Sequence, residues 1–314
     1  MSFPAPTAFE IDTVQIETTS WCNLKCQGCL RTSRLGRGHW TDSHMTADSF
    51  QRLLANLPDC RVLILNGTGE PMLNPDLAEI VSMARKSSKF KGITFNSNGL
   101  ARDVADFVKV AEAGLSYLSV SVDSLTQDIA DQVRAGTKTG KLAERIADLV
   151  RCLPIPLTIT TVVSRANLHD VAETLESLNQ LGQFTVFLTE MSDVERLDGQ
   201  PSLSGPIDAH ERRILHALAA KAGMRLANLE IILTQPLETG GVRCEAPFRH
   251  PFINVDGFLT PCCTLTDANH YGEQSVFRQP LKAAFMSAKA LAWRQAYAER
   301  EPAACQGCQH RQRD

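Results

Sequence analysis

Three cysteines, Cys22, Cys26 and Cys29, stand at a Cys-x3-Cys-x2-Cys spacing in the stretch Trp21-Cys22-Asn23-Leu24-Lys25-Cys26-Gln27-Gly28-Cys29-Leu30. Thiolates this close in sequence can face one point from a loop and hold one soft metal centre. Structural zinc is closed by four protein ligands, whereas an iron–sulfur cluster held by three thiolates keeps one iron open. A zinc knuckle or three buried thiols is the alternative that the spacing alone leaves standing. A second set lies near the other end of the chain: Cys244, Cys262, Cys263 and the chelating pair Cys305-Gln306-Gly307-Cys308. Four thiolates in two pairs also suit a zinc ribbon, so spacing does not choose the metal here. Of the ten cysteines, Cys60 and Cys152 fall in helix–strand connections away from both sets and read as structural.

The elements that must position these sulfurs follow a regular pattern. A strand-like run over 13–19 leads into the first set, and a polar, glycine-bearing loop is expected over 31–43. Residues 45–57 carry Phe50, Leu53, Leu54 and Leu57 at helical spacing behind Thr46, a natural N-cap. Apolar strands are predicted over 61–65, 92–96, 118–122, 156–163 and 185–188, with helices over 76–85, 101–113, 126–152 (broken near 136–140) and 168–181. Six short, continuously apolar strands alternating with helices predict an α/β fold, a parallel sheet closed or partly closed into a barrel. Gly67-Thr68-Gly69-Glu70-Pro71, Ser97-Asn98-Gly99 and Ser121-Val122-Asp123 sit at successive strand ends, where α/β barrels place their sites.

The pattern fades after Met191, and 199–205 reads as a linker, dividing the chain into 1–205 and 206–314. The second part carries an amphipathic helix over 206–222 and a strand-like run over 224–233. Two short strands follow over 252–261 about Asp256-Gly257, then a helix over 281–301. A formal net charge of −3 leaves no electrostatic footprint for nucleic acid, and the basic tail at 310–313 is too small to make one. No stretch approaches the ~20 apolar residues of a membrane span, and 1–12 lacks a signal pattern. A cytoplasmic location is therefore expected, with the thiols reduced and serving as metal ligands in preference to disulfides.

With Asn23 and Leu24 inside it, the first cysteine set resembles the cluster-binding loop of the radical S-adenosylmethionine (radical SAM) family. The resemblance implies a partial (β/α)6 TIM-like barrel. Cys22, Cys26 and Cys29 would hold a catalytic 4Fe–4S cluster whose fourth iron chelates S-adenosylmethionine. That molecule would be cleaved reductively to a 5′-deoxyadenosyl radical, which takes a hydrogen atom from a C–H bond. An external one-electron reductant such as flavodoxin or ferredoxin is implied as partner. Gly67, Gly69 and Glu70 resemble the family's glycine-rich element against the methionine amino group, with Thr68 splitting the usual glycine pair. Asn98 fits the third-strand element, and Ser121 with Asp123 fits the fourth-strand element near the ribose. Arg134 is the candidate for the methionine carboxylate, with a plain helix-surface arginine as the alternative.

Cys244, Gly257, Cys262 and the distal Cys-x2-Cys resemble the SPASM/twitch extension of the same family. The resemblance implies a small C-terminal β-hairpin and helix domain holding an auxiliary 4Fe–4S cluster through Cys244, Cys262, Cys305 and Cys308. Six residues follow Cys308, so the shorter one-cluster form is expected, serving electron transfer. Cys263 is left as a substitute ligand, an inert thiol, or a catalytic hydrogen-atom donor as in some radical SAM epimerases. The expected reaction is dehydrogenation or epimerisation of a small natural-product-like molecule. The alternative is modification of a ribosomal peptide, which often goes with an N-terminal recognition domain of ~80 residues; only 21 residues precede Cys22. From another class, a non-catalytic zinc or redox-sensing protein would leave the strand-end motifs unexplained. Substrate contacts are expected from 31–43, 189–205 and the hairpin.

Overall fold

Seven strands run parallel: β1 (Thr13–Ile16), β2 (Cys60–Ile64), β3 (Phe90–Ser97), β4 (Tyr117–Ser121), β5 (Leu157–Val163), β6 (Phe184–Glu190) and β7 (Leu229–Leu233). Each pairs with the next in chain order. Parallel neighbours need crossovers, and helices supply them. Helices α1 (Leu30–Gly36) and α2 (Ala47–Ala55) lie between β1 and β2, α3 (Leu77–Lys86) precedes β3, and α4 (Val104–Glu112) precedes β4. Then come α5 (Gln127–Val133) and α6 (Thr139–Cys152), α7 (Val171–Leu181), and α8 (Ala209–Arg225) before β7. The computed structural model describes residues 4–36, 41–191, 205, 207–234, 244–300, 302 and 305. Cys308 and most of the expected linker and of 189–205 lie outside the described residues.

The other edge of β1 takes a short strand from far along the chain. After α9 (Ala246–Arg249), β8 (Phe252–Ile253) pairs parallel with β1, and β9 (Leu259–Thr260) turns back antiparallel on β8. The sheet is therefore open, ordered β7-β6-β5-β4-β3-β2-β1-β8-β9. Helices α10 (Leu281–Phe285) and α11 (Ala288–Glu299) close the described chain.

Local sequence explains most of these elements. Thr46 caps α2, its hydroxyl accepting from Ser49 N, and Phe50, Leu53 and Leu54 are buried. Along β5 and β6 every second residue is buried, the period of a strand. Gly136, at φ +99°, makes the break between α5 and α6 that the glycines at 136–140 predict. The expected loop over 31–43 is corrected at its start: α1 forms because Leu30 and Arg31 are buried by tertiary contacts. The expected single helix over 281–301 is two, the second capped by Ser287. The run at 224–233 extends the parallel sheet as β7, and α8 is fastened to β6 by the Arg212–Glu190 ion pair, with Nη2 to Oε2 at 2.7 Å.

Phe95, fully buried in β3, is at the centre of this core, while Met224 is 82% exposed on α8. Phe95→Ala is expected to cost about 3–5 kcal/mol in chemical unfolding, and Met224→Ala to stay within about 0.5 kcal/mol. Equal losses would mean that Phe95 does not pack in the core.

Candidate functional site

The chain leaves β1 into a buried segment, Glu17 to Ser20, that is fixed on both sides. Glu17 N donates to Ile253 O (2.9 Å), Ser20 N to Ser43 O (3.0 Å) and Met45 N to Thr18 O (2.9 Å). Arg31, 4% exposed, donates from Nε to Ser20 O (2.9 Å) and from Nη2 to both Asp42 oxygens (2.8 and 2.9 Å). Charge-assisted, bidentate bonds of this kind are strong and directional. The loop of Cys22, Cys26 and Cys29 is thereby held at its root and at the start of α1.

Four other strand ends wall the loop. From the β2 end, Glu70 N donates to Trp21 O (2.7 Å). A Cβ on Gly69 would stand 2.3 Å from Thr19 O and 2.7 Å from Trp21 O, so only glycine permits this approach. From the β3 end, Asn98 Nδ2 donates to Asn23 Oδ1 (2.8 Å) and reaches Cys22 Sγ at 3.9 Å. Beyond β4, Lys25 N donates to Ala135 O (3.0 Å), and Gly136 packs on Leu24. From β6, Met191 lies against Gly28, where a Cβ would fall 2.2 Å from the Met191 Cε.

Two buried acids organise these walls. Glu70 accepts from Met72 N (3.1 Å) and Ser97 Oγ (2.7 Å) on Oε1, and from Asn98 N (2.7 Å) on Oε2. Glu17 accepts from Thr68 N (2.8 Å), from the Thr68 hydroxyl, and from Val255 N (3.2 Å) in the hairpin turn. Burial pushes both carboxyls up against these donors. Burial likewise raises the Cys22 thiol, and pushes Cys26 up to about 11, with Arg134 pulling the other way. Burial opposes the charge on Arg134, but Cys26 and Asp123 outweigh it and keep the guanidinium firmly protonated. Asp123 accepts from Arg134 Nη1 (3.2 Å) and from Val162 N (2.8 Å).

The expected residues thus gather as one group: Cys22, Cys26, Cys29, Asn98, Asp123 and Arg134 around the loop, with Glu70 behind Asn98. Arg134 is buried against Asp123 and Cys26, unlike a plain surface arginine. Ser121, half-buried, ends β4. The Cβ directions of Gly67 and Gly69 are filled by the chain itself, Gly67 facing Glu17 at 2.6 Å. Glu17, Met191 and Arg31 escape a motif-based reading; the Glu17-to-Thr68 pairing was signalled only by the threonine that interrupts the glycines.

In the second set, Cys244 Sγ accepts from Ala246 N and Cys262 Sγ from Leu265 N, both at 3.4 Å. Cys22 Sγ accepts from Leu24 N at the same 3.4 Å. Backbone N–H groups aimed at sulfur are the donors that tune cluster-bound thiolates. Among the described residues no three His, Cys, Asp or Glu side chains converge as a single-ion site. A four-iron cluster instead spreads its thiolates over separate irons. Sulfur donors bearing amide bonds, with a buried cation beside Cys26, fit iron–sulfur ligation. Cys305 N donates to Pro302 O (2.9 Å). Cys263 is half-buried next to Cys262, and Cys60 donates from Sγ to Val62 O (3.4 Å), as a structural thiol does.

Thiolates on the first strand-end loop of an open α/β barrel define a cofactor site at the barrel mouth. The chain belongs to the radical SAM superfamily, whose family model matches residues 16–178, and an iron–sulfur cluster-binding domain of the SPASM type matches 244–309. It is an enzyme that uses a 4Fe–4S cluster binding S-adenosylmethionine, together with auxiliary iron–sulfur chemistry. Over 164 residues it is 27% identical to a PqqA peptide cyclase of Bradyrhizobium diazoefficiens, a match spanning 52% of this chain and 42% of that protein. Over 270 residues it is 24% identical to a probable GTP 3′,8-cyclase of Methanocaldococcus jannaschii, spanning 82% of this chain and 87% of that one. Among solved structures, Streptococcus suis SuiB bound to S-adenosylmethionine shares the fold at a TM-score of 0.71 and 16% identity, covering 96% of this chain and 72% of SuiB. No helix among the described residues is long and apolar enough to cross a membrane.

Gly69→Ala is expected to displace the cluster loop, because its Cβ meets backbone that has nowhere to go; S-adenosylmethionine binding, measured by equilibrium dialysis, should drop at least about tenfold, the loss expected from one charge-assisted contact. Unchanged binding would mean that the loop tolerates the shift. Glu17 gives a pH prediction. Its folded value is raised above 4.5, so the stability it contributes is complete below 4.5 and is lost as pH rises through the folded value. Glu17→Gln should therefore flatten the fall in anaerobic thermal midpoint above pH 4.5; a parallel profile would place the proton elsewhere.

Proposed function

We propose that this radical SAM enzyme modifies a peptide. The observation that carries the proposal is the likeness to peptide-acting relatives: the PqqA peptide cyclase in sequence and SuiB in fold, the latter also solved bound to its precursor peptide SuiA. The smaller natural-product-like substrate expected from the motifs has weaker support. A second reading keeps a small molecule, favoured by the match to the probable GTP 3′,8-cyclase across 82% of the chain.

In either reading the residues divide the work in the same way. Cys22, Cys26 and Cys29 hold the catalytic cluster, and Cys244, Cys262, Cys305 and Cys308 hold the auxiliary one. When bound, the cluster and S-adenosylmethionine supply the radical chemistry that removes a hydrogen atom from an unactivated C–H bond. The protein binds, orients and excludes water. Arg134, held by Asp123 at 3.2 Å, presents a fixed positive charge suited to the methionine carboxylate. Asn98 orients the cluster loop through Asn23, Ser121 and Asp123 border the ribose, and Gly67 to Glu70 shape the wall against the amino group. Met191 and the hairpin turn at Val255 flank the mouth on the substrate side. Cys263 is the candidate hydrogen donor in an epimerising version of the reaction. We also place the start of the auxiliary region after Leu233 in preference to Gly205, because α8 and β7 continue the barrel's sheet.

Two measurements test this. Anaerobic reconstitution should give about eight irons per chain, falling to about four in the Cys22/Cys26/Cys29→Ala variant, as expected for two cysteine-held four-iron clusters. No iron would overturn the cluster assignment. Then carbon-deuterated peptides and carbon-deuterated nucleotides are supplied separately, and 5′-deoxyadenosine is weighed by mass spectrometry. Deuterium arriving only from peptides supports the proposal; arrival only from nucleotides replaces it with the second reading.

A further inference from the structure

The largest fully buried side chain is a cation. Arg294, in α11, has no exposed surface. Its Nε donates to Pro6 O (3.1 Å) and its Nη2 to Phe285 O (2.7 Å). The guanidinium lies 3.7 Å over the Phe285 ring and 5.8 Å from the Tyr271 ring. Its third nitrogen, Nη1, is buried without an acceptor at hydrogen-bonding geometry. Among the described residues no carboxylate pairs with it. The other two buried arginines among the described residues each face one: Arg31 has Asp42 and Arg145 has Asp103.

A charge taken out of water costs several kcal/mol unless something of opposite sign answers it. Carbonyl dipoles and one ring face answer only part of it. The surroundings of Arg294 indicate where the missing negative charge lies. Tyr271 packs edge-on to Trp293 at 5.7 Å, and Trp293 stacks on Tyr297 at 5.5 Å. The Tyr297 hydroxyl donates to Cys244 O (3.2 Å), and the Tyr271 hydroxyl donates to Pro247 O (3.3 Å). Burial pushes the Tyr271 hydroxyl up, with Arg294 pulling it down and Cys262 adding to the rise. One turn of α11 therefore carries both this guanidinium, which has no carboxylate partner among the described residues, and the tyrosine that bonds Cys244, whose sulfur already accepts a backbone N–H bond.

We propose that Arg294 is the built-in counter-charge of the auxiliary cluster, a positioning residue whose field stabilises the reduced cluster and sets its potential. The proposal rests on Cys244 and Cys262 being auxiliary-cluster ligands. A one-electron reduction, with the electron from an external one-electron donor, makes the cluster more negative by one charge and moves no proton or heavy atom. A fixed cation nearby favours that form. Net charge and local electrostatics are among the terms that set iron–sulfur potentials. As a mere strut between Pro6 and Phe285, the arginine would affect stability alone.

The test uses the full-length Cys22/Cys26/Cys29→Ala protein, so that only the auxiliary cluster is titrated, with dithionite and mediators under EPR detection. Arg294→Met is expected to make reduction about tenfold harder, the size of one charge acting over a protein-like dielectric, or a shift of about 59 mV downward for one electron. Arg294→Lys keeps the charge, breaks the two carbonyl bonds, and should recover most of the potential. Identical potentials for all three proteins, with lowered thermal midpoints in both variants, would overturn the proposal and leave a strut. If Arg294→Met retains no iron, the lysine variant decides: wild-type potential with reduced stability supports the counter-charge, and a downward shift overturns it. Absence of iron in the parent triple variant sinks the ligand assignment itself, an outcome distinct from an unshifted potential.

Discussion

The buried carboxylate of Glu70 ties together the loops on which the site depends. Its backbone N–H holds Trp21 O, one residue before Cys22, and its side chain holds Ser97 and Asn98 at the end of β3. Asn98 in turn holds Asn23 inside the cysteine loop. Three strand ends thereby become one surface, and the position of the sulfurs follows from a residue both of whose carboxyl oxygens are bonded within the protein. Such a network, if fully satisfied, fixes a geometry more sharply than apolar packing does. Glycine at position 69 then has a steric cause, since the backbone of the cysteine loop occupies the place of its side chain.

Glu17 performs the corresponding task between the barrel and the hairpin. It bonds Thr68 on one side and Val255 on the other, and its stem fills the space that a side chain on Gly67 would need. The threonine that interrupts the glycine pair is therefore a partner for a neighbouring buried acid, both through its N–H and through its hydroxyl. Replacing Thr68 by a residue without a hydroxyl removes one of the three bonds to Glu17 and leaves those from the two backbone N–H groups, at a cost of about 0.5–1.5 kcal/mol.

Much of this was legible from residue order. Cys22, Cys26 and Cys29 stand out because metal ligation constrains both residue type and spacing, and the strand-end motifs stand out because parallel strands carry continuous apolar runs between polar loops. Helix α1 was hidden, since its sequence, LRTSRLG, has no apolar stripe and its stability comes from Arg31 bonding Ser20 and Asp42. The pairing of β8 with β1 was equally hidden, because two residues carry no pattern and their partners lie more than two hundred positions away. Arg294 reads as an ordinary polar residue on a helix until its burial is known. What decides substrate lies in surface loops, where side chains answer to a partner and not to the fold.

Strand direction bears on what the two cysteine sets can do together. β8 runs with β1, so the turn at 254–257 lies at the mouth end of the sheet, where Val255 meets Glu17. β9 returns antiparallel, so the chain leaves it toward Cys262 at the end opposite to that from which β1 feeds Cys22. The loop after Cys262 then reaches back toward α1, where Arg34 donates to Thr266 Oγ1 (3.2 Å). The two cysteine sets thus leave one strip of sheet in opposite directions, and Arg34 of α1 ties the loop after Cys262 to the helix that follows Cys29.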